Sequence, residues 1–437
     1  MLFKKGWTHK KRFVLKKILD LHIHSRYSRA CSAELELPKI AKACEGKGID
    51  IVATGDYTHP LWFKHIKESL VEVAAGAGIY KLKDNSSPTK FILSTEISCI
   101  YKHKDKTRRV HLLILAPSIE AVEKFNRALE EKNINVRSDG RPIMGLSAKV
   151  ILSMILAIDP RFMLIPAHIW TPWFSVLGSK SGYDSFEECF EELTPHVKAG
   201  ETGLSSDPPM NHRLSKLDNI TLVSNSDAHG LNNLGREANR FEFADEADIN
   251  YDEITRIIKT GDKKKFLYTI EFYPEEGKYH FDGHRDCEIV LSPKETKAKK
   301  FICPKCKKPV TVGVLHRVDD LADREENNIP VDKFIPHKYI VPLKEVLGKV
   351  YDVGPASKKV KNEYDLMIKK IGSEFYILLD AGLEEIEKNI SDANILTAIA
   401  NMRAGHVKVH PGYDGEFGVV EVLTDGRKND LKQSRLL

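Results

Sequence analysis

The sequence predicts an α/β fold in three parts: a barrel-sized unit over residues 1–273, a small lysine-rich, zinc-binding unit over 274–340, and a mainly helical C-terminal region over 341–437. Three observations carry that reading. Short β-branched or apolar runs alternate with amphipathic stretches from Lys16 to about Ile270, and His or Asp residues repeatedly close the apolar runs. After Tyr273 the text turns to PEEGKYHFDGHRDC, where Gly, His and charge replace that rhythm. With 437 residues, 42% apolar and 30% charged, the chain is too long for one ordinary domain and globular in composition.

In chain order, strands are expected at Ile18 to Leu21, Ile49 to Ala53, Phe91 to Ser94, Val110 to Leu115, Phe162 to Pro166 and Thr221 to Ser224. Helices with i, i+3, i+4 apolar spacing are expected at Leu37 to Lys47, Leu61 to Ala74, Ser118 to Lys132, Ala148 to Ala157 and Asp252 to Thr260. Leu366 to Ile371 and Ile395 to Met402 carry the same spacing in the last region, and Pro411 to Gly415 is turn chemistry. In a barrel of parallel strands the polar residues that follow each strand converge on one face.

No apolar run reaches membrane-spanning length, and the basic start MLFKKGWTHKKRF has no apolar signal core behind it. A soluble protein of the reducing cytoplasm is expected, because seven cysteines with a Cys303-x-x-Cys306 pair suit a metal site better than a secreted disulfide framework. The net charge of +5 says little about a polyanionic partner by itself. Locally, Lys294 to Lys308 holds seven lysines and one glutamate, a segment suited to nucleic acid; a solvated face is the plainer alternative.

The chemistry begins at Asp20-Leu21-His22-Ile23-His24, where two imidazoles two residues apart leave a strand on one side. Asp56, in Thr54-Gly55-Asp56-Tyr57-Thr58-His59, follows the next strand, although a turn Asp capping a helix would read the same. Glu96 closes Leu93-Ser94-Thr95-Glu96, and a carboxylate there can offer one oxygen to each of two cations. His111, His168 and the pair Asp227 and His229 complete the series. One such His is usually a satisfied core residue, but a series at successive strand ends fits a two- or three-metal centre better than a Ser-His-Asp triad. Cations about 3.5 to 4 Å apart can activate water and neutralise a phosphate, so phosphate ester hydrolysis is the matching reaction. Asp56, Glu96, His168, Asp227 and Glu201 are the expected catalytic groups, Glu201 as a loop carboxylate that positions water.

His284-x-x-Cys287 and Cys303-x-x-Cys306 give four ligands in two pairs, the pattern of a structural zinc, with His280 and His316 as alternatives for the fourth. Beyond His168 lies a loop with Trp170, Trp173 and Phe174, then Ser179 and Lys180. Its aromatics either plug the barrel rim or stack an extruded base, with Lys180 on phosphate. Lys299, Lys300, Lys305 and Lys307 are the DNA-contacting lysines expected beside the zinc.

The segments DLHIH, the Asp56 turn, STE, the central histidines and SDAH resemble, in order, the signature of PHP phosphoesterases. That resemblance implies a distorted (β/α)7 barrel holding two or three divalent ions, Mg²⁺, Mn²⁺ or Zn²⁺. Two departures bear on the third ion: Arg29 stands where the family has Asp, and Tyr57 where it has His, with His59 nearby as a substitute. TGDYTHP, IPAHIWTPWFSVLGSKSGYDSFEECF, ETGLSSDPPMNHRL, NSDAHG, the GHRDC and CPKC pair, GVLHRV and HPGYDG are similar to the endonuclease Q branch over essentially the whole chain. The branch implies cutting on the 5′ side of deaminated bases (uracil, hypoxanthine, xanthine) and of abasic sites, with base flipping, damaged DNA as partner and replication or repair proteins beside it. The rival readings are a phosphatase of the histidinol phosphate type and an inactive, helicase-associated DNA-binding scaffold.

Overall fold

The computed structural model describes residues 14–423; the basic N-terminal segment and the end of the 341–437 region lie outside them. Strand β1 (Leu15–Asp20) runs parallel to β2 (Ile51–Ala53). Helix α1 (Leu37–Lys47) joins them, burying Leu37, Ile40, Ala41 and Cys44 on one face. It stops at Gly48, whose left-handed φ of 84° lets its N–H cap the helix.

Helix α2 (Pro60–Ser69) ends earlier than the spacing predicts, because Leu70 to Glu72 is a strand, β3, paired with β4 (Ile79–Leu82). The turn between them explains the difference: the Glu72 carboxylate accepts from the N–H groups of Gly76 and Gly78, a closure that a helix continuing to Ala74 would break.

Next come β5 (Lys90–Ile92), β6 (Ser94–His103) and β7 (Lys106–Leu115). Helices α3 (Ile119–Glu131) and α4 (Ala148–Ile158) follow, each started by a serine, Ser118 or Ser147, whose hydroxyl accepts a backbone N–H of the first turn. Strands β8 (Ile143–Met144), β9 (Met163–Pro166), β10 (Ala199–Glu201), β11 (Thr221–Val223), β12 (Ala238–Phe243) and β13 (Phe266–Glu271) complete the wall.

The wall is mixed where the simple expectation is parallel. An eight-stranded sheet pairs β1 parallel to β2 and antiparallel to β12, while β6, β7 and β9 form an antiparallel face of a second sheet. The hairpin β6–β7, two strands of ten residues each, needs no crossover helix, which is why the helical spacing skips it.

Beyond Tyr273, β14 (Asp282–His284) and β15 (Ile289–Leu291) form a hairpin beside the cysteines, while β16 (His337–Tyr339) adds to the large sheet next to β13. The remaining helices include Leu343–Tyr351, Lys358–Lys370 and Ala393–Arg403, and β17 (Lys408–His410) pairs with β18 (Val419–Glu421). Val346, Leu347, Ile377 and Ile399 share one continuous core with the barrel, and the buried Lys47 ammonium meets Glu374 at 3.0 Å. The cysteine unit has a separate small cluster of Leu291, Cys303 and Val310. Among the described residues no helix is long and apolar enough to cross a membrane.

Two carboxyls, Glu237 and Glu271, are wholly buried. Glu271 Oε2 accepts from Ser224 and Thr202, while Oε1 has no hydrogen-bond partner among the described residues. Burial pushes the Glu271 carboxyl up to about 8 from 4.5, so the folded chain holds a proton there that the unfolded chain releases at neutral pH. Stability from this group is therefore complete below about pH 4.5 and is lost as pH rises through about 8. Glu271→Gln is expected to leave Tm unchanged near pH 4 and to raise it relative to wild type between pH 6 and 8.5. Parallel melts across that range would count against the buried proton.

Candidate active site

Four segments deliver side chains to one end of the barrel. His22 and His24 follow β1, His168 follows β9, and Asp227 follows β11, while Glu96 and His111 lie on the paired strands β6 and β7. The Asp20 carboxylate ties the first and last of these together, accepting from Ser226 N, Ser226 Oγ and Gly235 N at 2.6 to 3.0 Å. His168 and Asp227 hold positive φ of 29° and 46°, and Asp56 holds 47°, conformations that non-glycine residues keep only when their surroundings enforce them.

Two donor groups result, and Glu96 belongs to both. His22, His24, Glu96 and Asp227 form one, Glu96, His111 and His168 the other, with the ligand atoms of each group within 4.8 Å of one another. Glu96 Oε2 lies 3.3 Å from His24 Nε2 and 3.7 Å from His22 Nε2, whereas Oε1 lies 2.8 Å from His111 Nδ1 and 3.1 Å from His168 Nε2. Asp227 Oδ1 sits 3.0 Å from His24 Nε2 and 3.7 Å from His22 Nε2.

Divalent ions fit this arrangement. His22 Nε2 is buried and has no hydrogen-bond partner among the described residues, an arrangement that is costly unless a ligand fills it. Electrostatics point the same way. His22 and His24 are pushed well above the usual imidazole range, against the burial that would lower them, by Glu201 and Glu96 around the first and Asp56, Asp227 and Glu96 around the second. Burial likewise opposes the ionised form of Glu96, yet contact with His111, Arg141 and His22 holds it well below the carboxylate range. Cations binding there would displace those imidazole protons and meet the same negative charge.

Asp56 and Glu201 stand behind the donor atoms rather than among them. Asp56 Oδ1 is 3.1 Å from His24 Nδ1, and Oδ2 accepts from Ser25 N, Ser25 Oγ and Ser28 Oγ at 2.6 to 2.8 Å. Both Glu201 oxygens lie 3.0 Å from His22 Nδ1, and they also accept from His168 N and Asn225 Nδ2. Each carboxylate thus meets a ring nitrogen of a donor imidazole, the kind of contact that orients the ring and selects its tautomer. Asp56 and Glu201, expected among the catalytic groups, contact His24 and His22 and are not in the two donor groups.

His59 is not brought to the cluster: it stacks on Tyr27 with centroids 4.3 Å apart, and its Nε2 lies 3.2 Å from Arg137 O. His229 sits at the rim, its ring 4.6 Å from that of His24 and its Nδ1 3.7 Å from Asp227 Oδ1. Arg29 is 81% exposed and faces Asp139, and Tyr57 is wholly buried.

Sequence reasoning missed Arg141, whose Nη1 donates to Glu96 Oε2 at 2.9 Å. A single Arg in the loop Asp139-Gly140-Arg141-Pro142 carries no periodic or spacing signal. Gly140 beside it is also decisive, because a Cβ there would lie 2.3 Å from Asp56 Oδ2 and 2.5 Å from Ser28 Oγ. Gly140→Ala is expected to shift Asp56, release His24 and weaken divalent-ion binding about 10- to 100-fold, the usual cost of losing an orienting contact. Titration with Mn²⁺ measures this; unchanged affinity would show that Asp56 does not set His24.

The second candidate metal group is His284, Cys287, Cys303 and Cys306. Cys306 Sγ lies 3.9 Å from His284 Nδ1, near the roughly 3.4 to 3.8 Å between ligands of a tetrahedral ion. His316 is engaged with Asp282 Oδ2 at 2.6 Å instead, and His280 is not in the group.

On the aromatic loop Trp170 is wholly buried and donates to Asn211 Oδ1 at 2.8 Å, so it packs the core and cannot receive a base. Trp173 is 50% exposed with the Arg109 guanidinium 5.0 Å from its ring centre, and Phe174 lies 4.7 Å from the His111 ring. Ser179, Lys180, Lys299, Lys300, Lys305 and Lys307 are exposed. Arg317, on the helix Val314–Leu321 beside the cysteine unit, donates to Leu177 O and Tyr183 O and so binds that unit to the aromatic loop.

Comparison with solved structures places this arrangement. The crystal structure of the lesion-specific endonuclease PfuEndoQ from Pyrococcus furiosus matches with a TM-score of 0.82 and 30% identity, over 96% of this chain and 99% of that one. The chain belongs to the endonuclease Q family. A structure of endonuclease Q with a 27-mer duplex substrate bearing an abasic lesion at the active site matches with a TM-score of 0.79 and 30% identity, over 94% of this chain and 98% of that one. Within this endonuclease Q family chain, residues 342–406 match the MJ0043 C-terminal domain model. The uncharacterized protein MJ0043 of Methanocaldococcus jannaschii is 31% identical over 256 residues, 57% of this chain. The match spans only 31% of that curated relative's own length.

Proposed function

We propose that this chain is a DNA-repair endonuclease that hydrolyses, with divalent metal ions, the phosphodiester bond on the 5′ side of deaminated bases and abasic sites. The observation that carries it is Glu96, one buried carboxylate whose two oxygens serve two adjacent donor groups. His22, His24 and Asp227 would hold one ion and His111 and His168 the other, Mg²⁺, Mn²⁺ or Zn²⁺, with Glu96 between them. Such ions supply an activated water and neutralise the phosphate oxygens. Asp56 and Glu201 hold His24 and His22 in the orientation that presents Nε2 to the centre. His229 lies at the open edge.

The division of labour follows the three parts: residues 1–273 carry the chemistry, while 274–340, held by zinc on His284, Cys287, Cys303 and Cys306, and 341–437 grip the duplex. Trp173 and Phe174 stack on the displaced base or its gap, and Ser179, Lys180, Lys299, Lys300, Lys305 and Lys307 contact phosphates. Damaged bases leave the duplex at lower cost than paired ones, which favours the lesion.

The test uses end-labelled duplexes with one deoxyuridine, deoxyinosine or abasic site, with Mn²⁺ or Mg²⁺ and with chelator. A discrete metal-dependent nick 5′ to the lesion is expected, weakened in Trp173→Ala. Hydrolysis of histidinol phosphate without nicking would replace this reading by a small-molecule phosphatase, and binding without cleavage by a scaffold.

A further inference from the structure

We propose that Arg141 is a substrate-contacting residue that grips a non-bridging oxygen of the scissile phosphate beside Glu96. The proposal rests on the phosphodiester-cleavage reading. Arg141 is the one Arg or Lys among the described residues whose side chain enters the cluster of buried carboxylates, and it does so at Glu96 Oε2, the oxygen that also faces His22 and His24. A phosphate held between the two donor groups would lie against that guanidinium.

The side chain has capacity left for it. A guanidinium has five N–H donors in a planar fork, and among the described residues the Arg141 fork donates only to Glu96. Glu96 is wholly buried, whereas the Arg141 side chain is 23% exposed, so one edge meets the carboxylate and another opens outward. That geometry suits bidentate recognition of an anion.

The backbone holds the residue in place before substrate arrives. Asp139 Oδ1 accepts from the N–H groups of Arg141 and Arg29, and Gly140 N–H donates to Tyr27 O at 2.9 Å. Gly140 also packs against Asp56 and Ser28 with no room for a Cβ. A donor fixed this way needs no reorganisation when charge builds on the phosphate. It also adds a permanent positive charge beside the donor groups, whereas the Arg29 side chain is turned outward.

Arg141→Ala and Arg141→Lys test this, alongside wild type, on an abasic duplex and on the same duplex with a methylphosphonate at the scissile position. In chelator, where binding is read without cleavage, Arg141→Ala is expected to lower the salt slope of affinity by about one on the natural duplex. On the methylphosphonate duplex, whose scissile linkage is uncharged, it should change little, since the phosphate charge that the guanidinium meets is gone. With Mn²⁺, nicking should fall about 10²-fold in Arg141→Ala, with the number of bound Mn²⁺ per chain unchanged. Equal losses on both duplexes would overturn the proposal, and so would a loss of bound Mn²⁺, which would make Arg141 a support of Glu96. Tighter Mn²⁺ with unchanged DNA binding would overturn it too, as a mere counter-charge. A wild-type protein that shows the salt-slope pattern but does not nick would instead refute the endonuclease reading and leave the phosphate contact standing.

Discussion

Glu96→Gln is expected to reduce nicking of an abasic duplex by at least about 10³-fold and to strip the barrel of its divalent ions. The substitution keeps the volume and removes the charge. Among the described residues Glu96 alone is common to the two donor groups, with His22 and His24 on one oxygen and His111 and His168 on the other. A glutamine would turn an amide NH₂ toward one of those imidazole pairs and leave the Arg141 guanidinium without its anion. Both groups should therefore fail together, unlike Asp227→Asn, which touches one. Bound Mn²⁺ per chain and single-turnover nicking measure the two effects separately. A variant that keeps its ions and a tenth of its activity would show that the centre is not built around this carboxylate.

Cys303→Ser carries the second large effect, on stability rather than chemistry. Among the described residues the buried apolar groups of the cysteine unit's own cluster are Leu291, Cys303 and Val310, too few to hold a fold of this size. A structural zinc contributes on the order of 10 to 16 kcal/mol in small units of this kind, so losing one thiolate should unfold the hairpin β14–β15 and the lysine segment locally. Proteolysis near Lys299 to Lys308 should accelerate sharply, and duplex affinity should fall about 10²-fold or more as the lysines lose their places. Arg317, on a helix whose Val314 and Val318 pack in the barrel core, should keep its contacts with Leu177 and Tyr183. The barrel, with its own core, should keep its ions and nearly all of its Tm. Undiminished protease resistance after zinc removal would mean that the unit does not depend on the ion.

The strands and helices of the barrel were legible where periodicity is strong. Leu37 to Lys47 coincides with α1, and Ile119–Glu131 and Ala148–Ile158 differ from expectation by a residue or so. The expected helix over Leu61 to Ala74 overran because local spacing does not register Glu72 folding back onto Gly76 and Gly78. Strand direction was not legible either: Val110 to Leu115 reads as a strand whether its partner is parallel or antiparallel.

The donor residues His22, His24, Glu96, His111, His168 and Asp227 stood out because each interrupts or follows an apolar strand, where an unpaired polar group is costly. Asp56 stood out for the same reason, whereas Glu201 stood out only as a carboxylate of a turn-rich loop; that both meet donor imidazoles is not written in the sequence. Those contacts depend on which atoms face one another across segments 179 residues apart, as in His22 and Glu201. Trp170 and Trp173, three residues apart, are likewise alike in sequence, yet Asn211 draws one into the core and leaves the other at the surface.

By itself, then, the sequence determined the kind of chemistry, since imidazoles and carboxylates at strand ends leave few other uses, and the family to which those motifs belong. Only the tertiary structure decided that Glu96 is shared, that Asp56 and Glu201 lie against His24 and His22, and that Arg141 enters the site at all. The reason is physical: identity and spacing fix what a residue can do, while its partner is set by long-range packing that brings distant loops within hydrogen-bond reach.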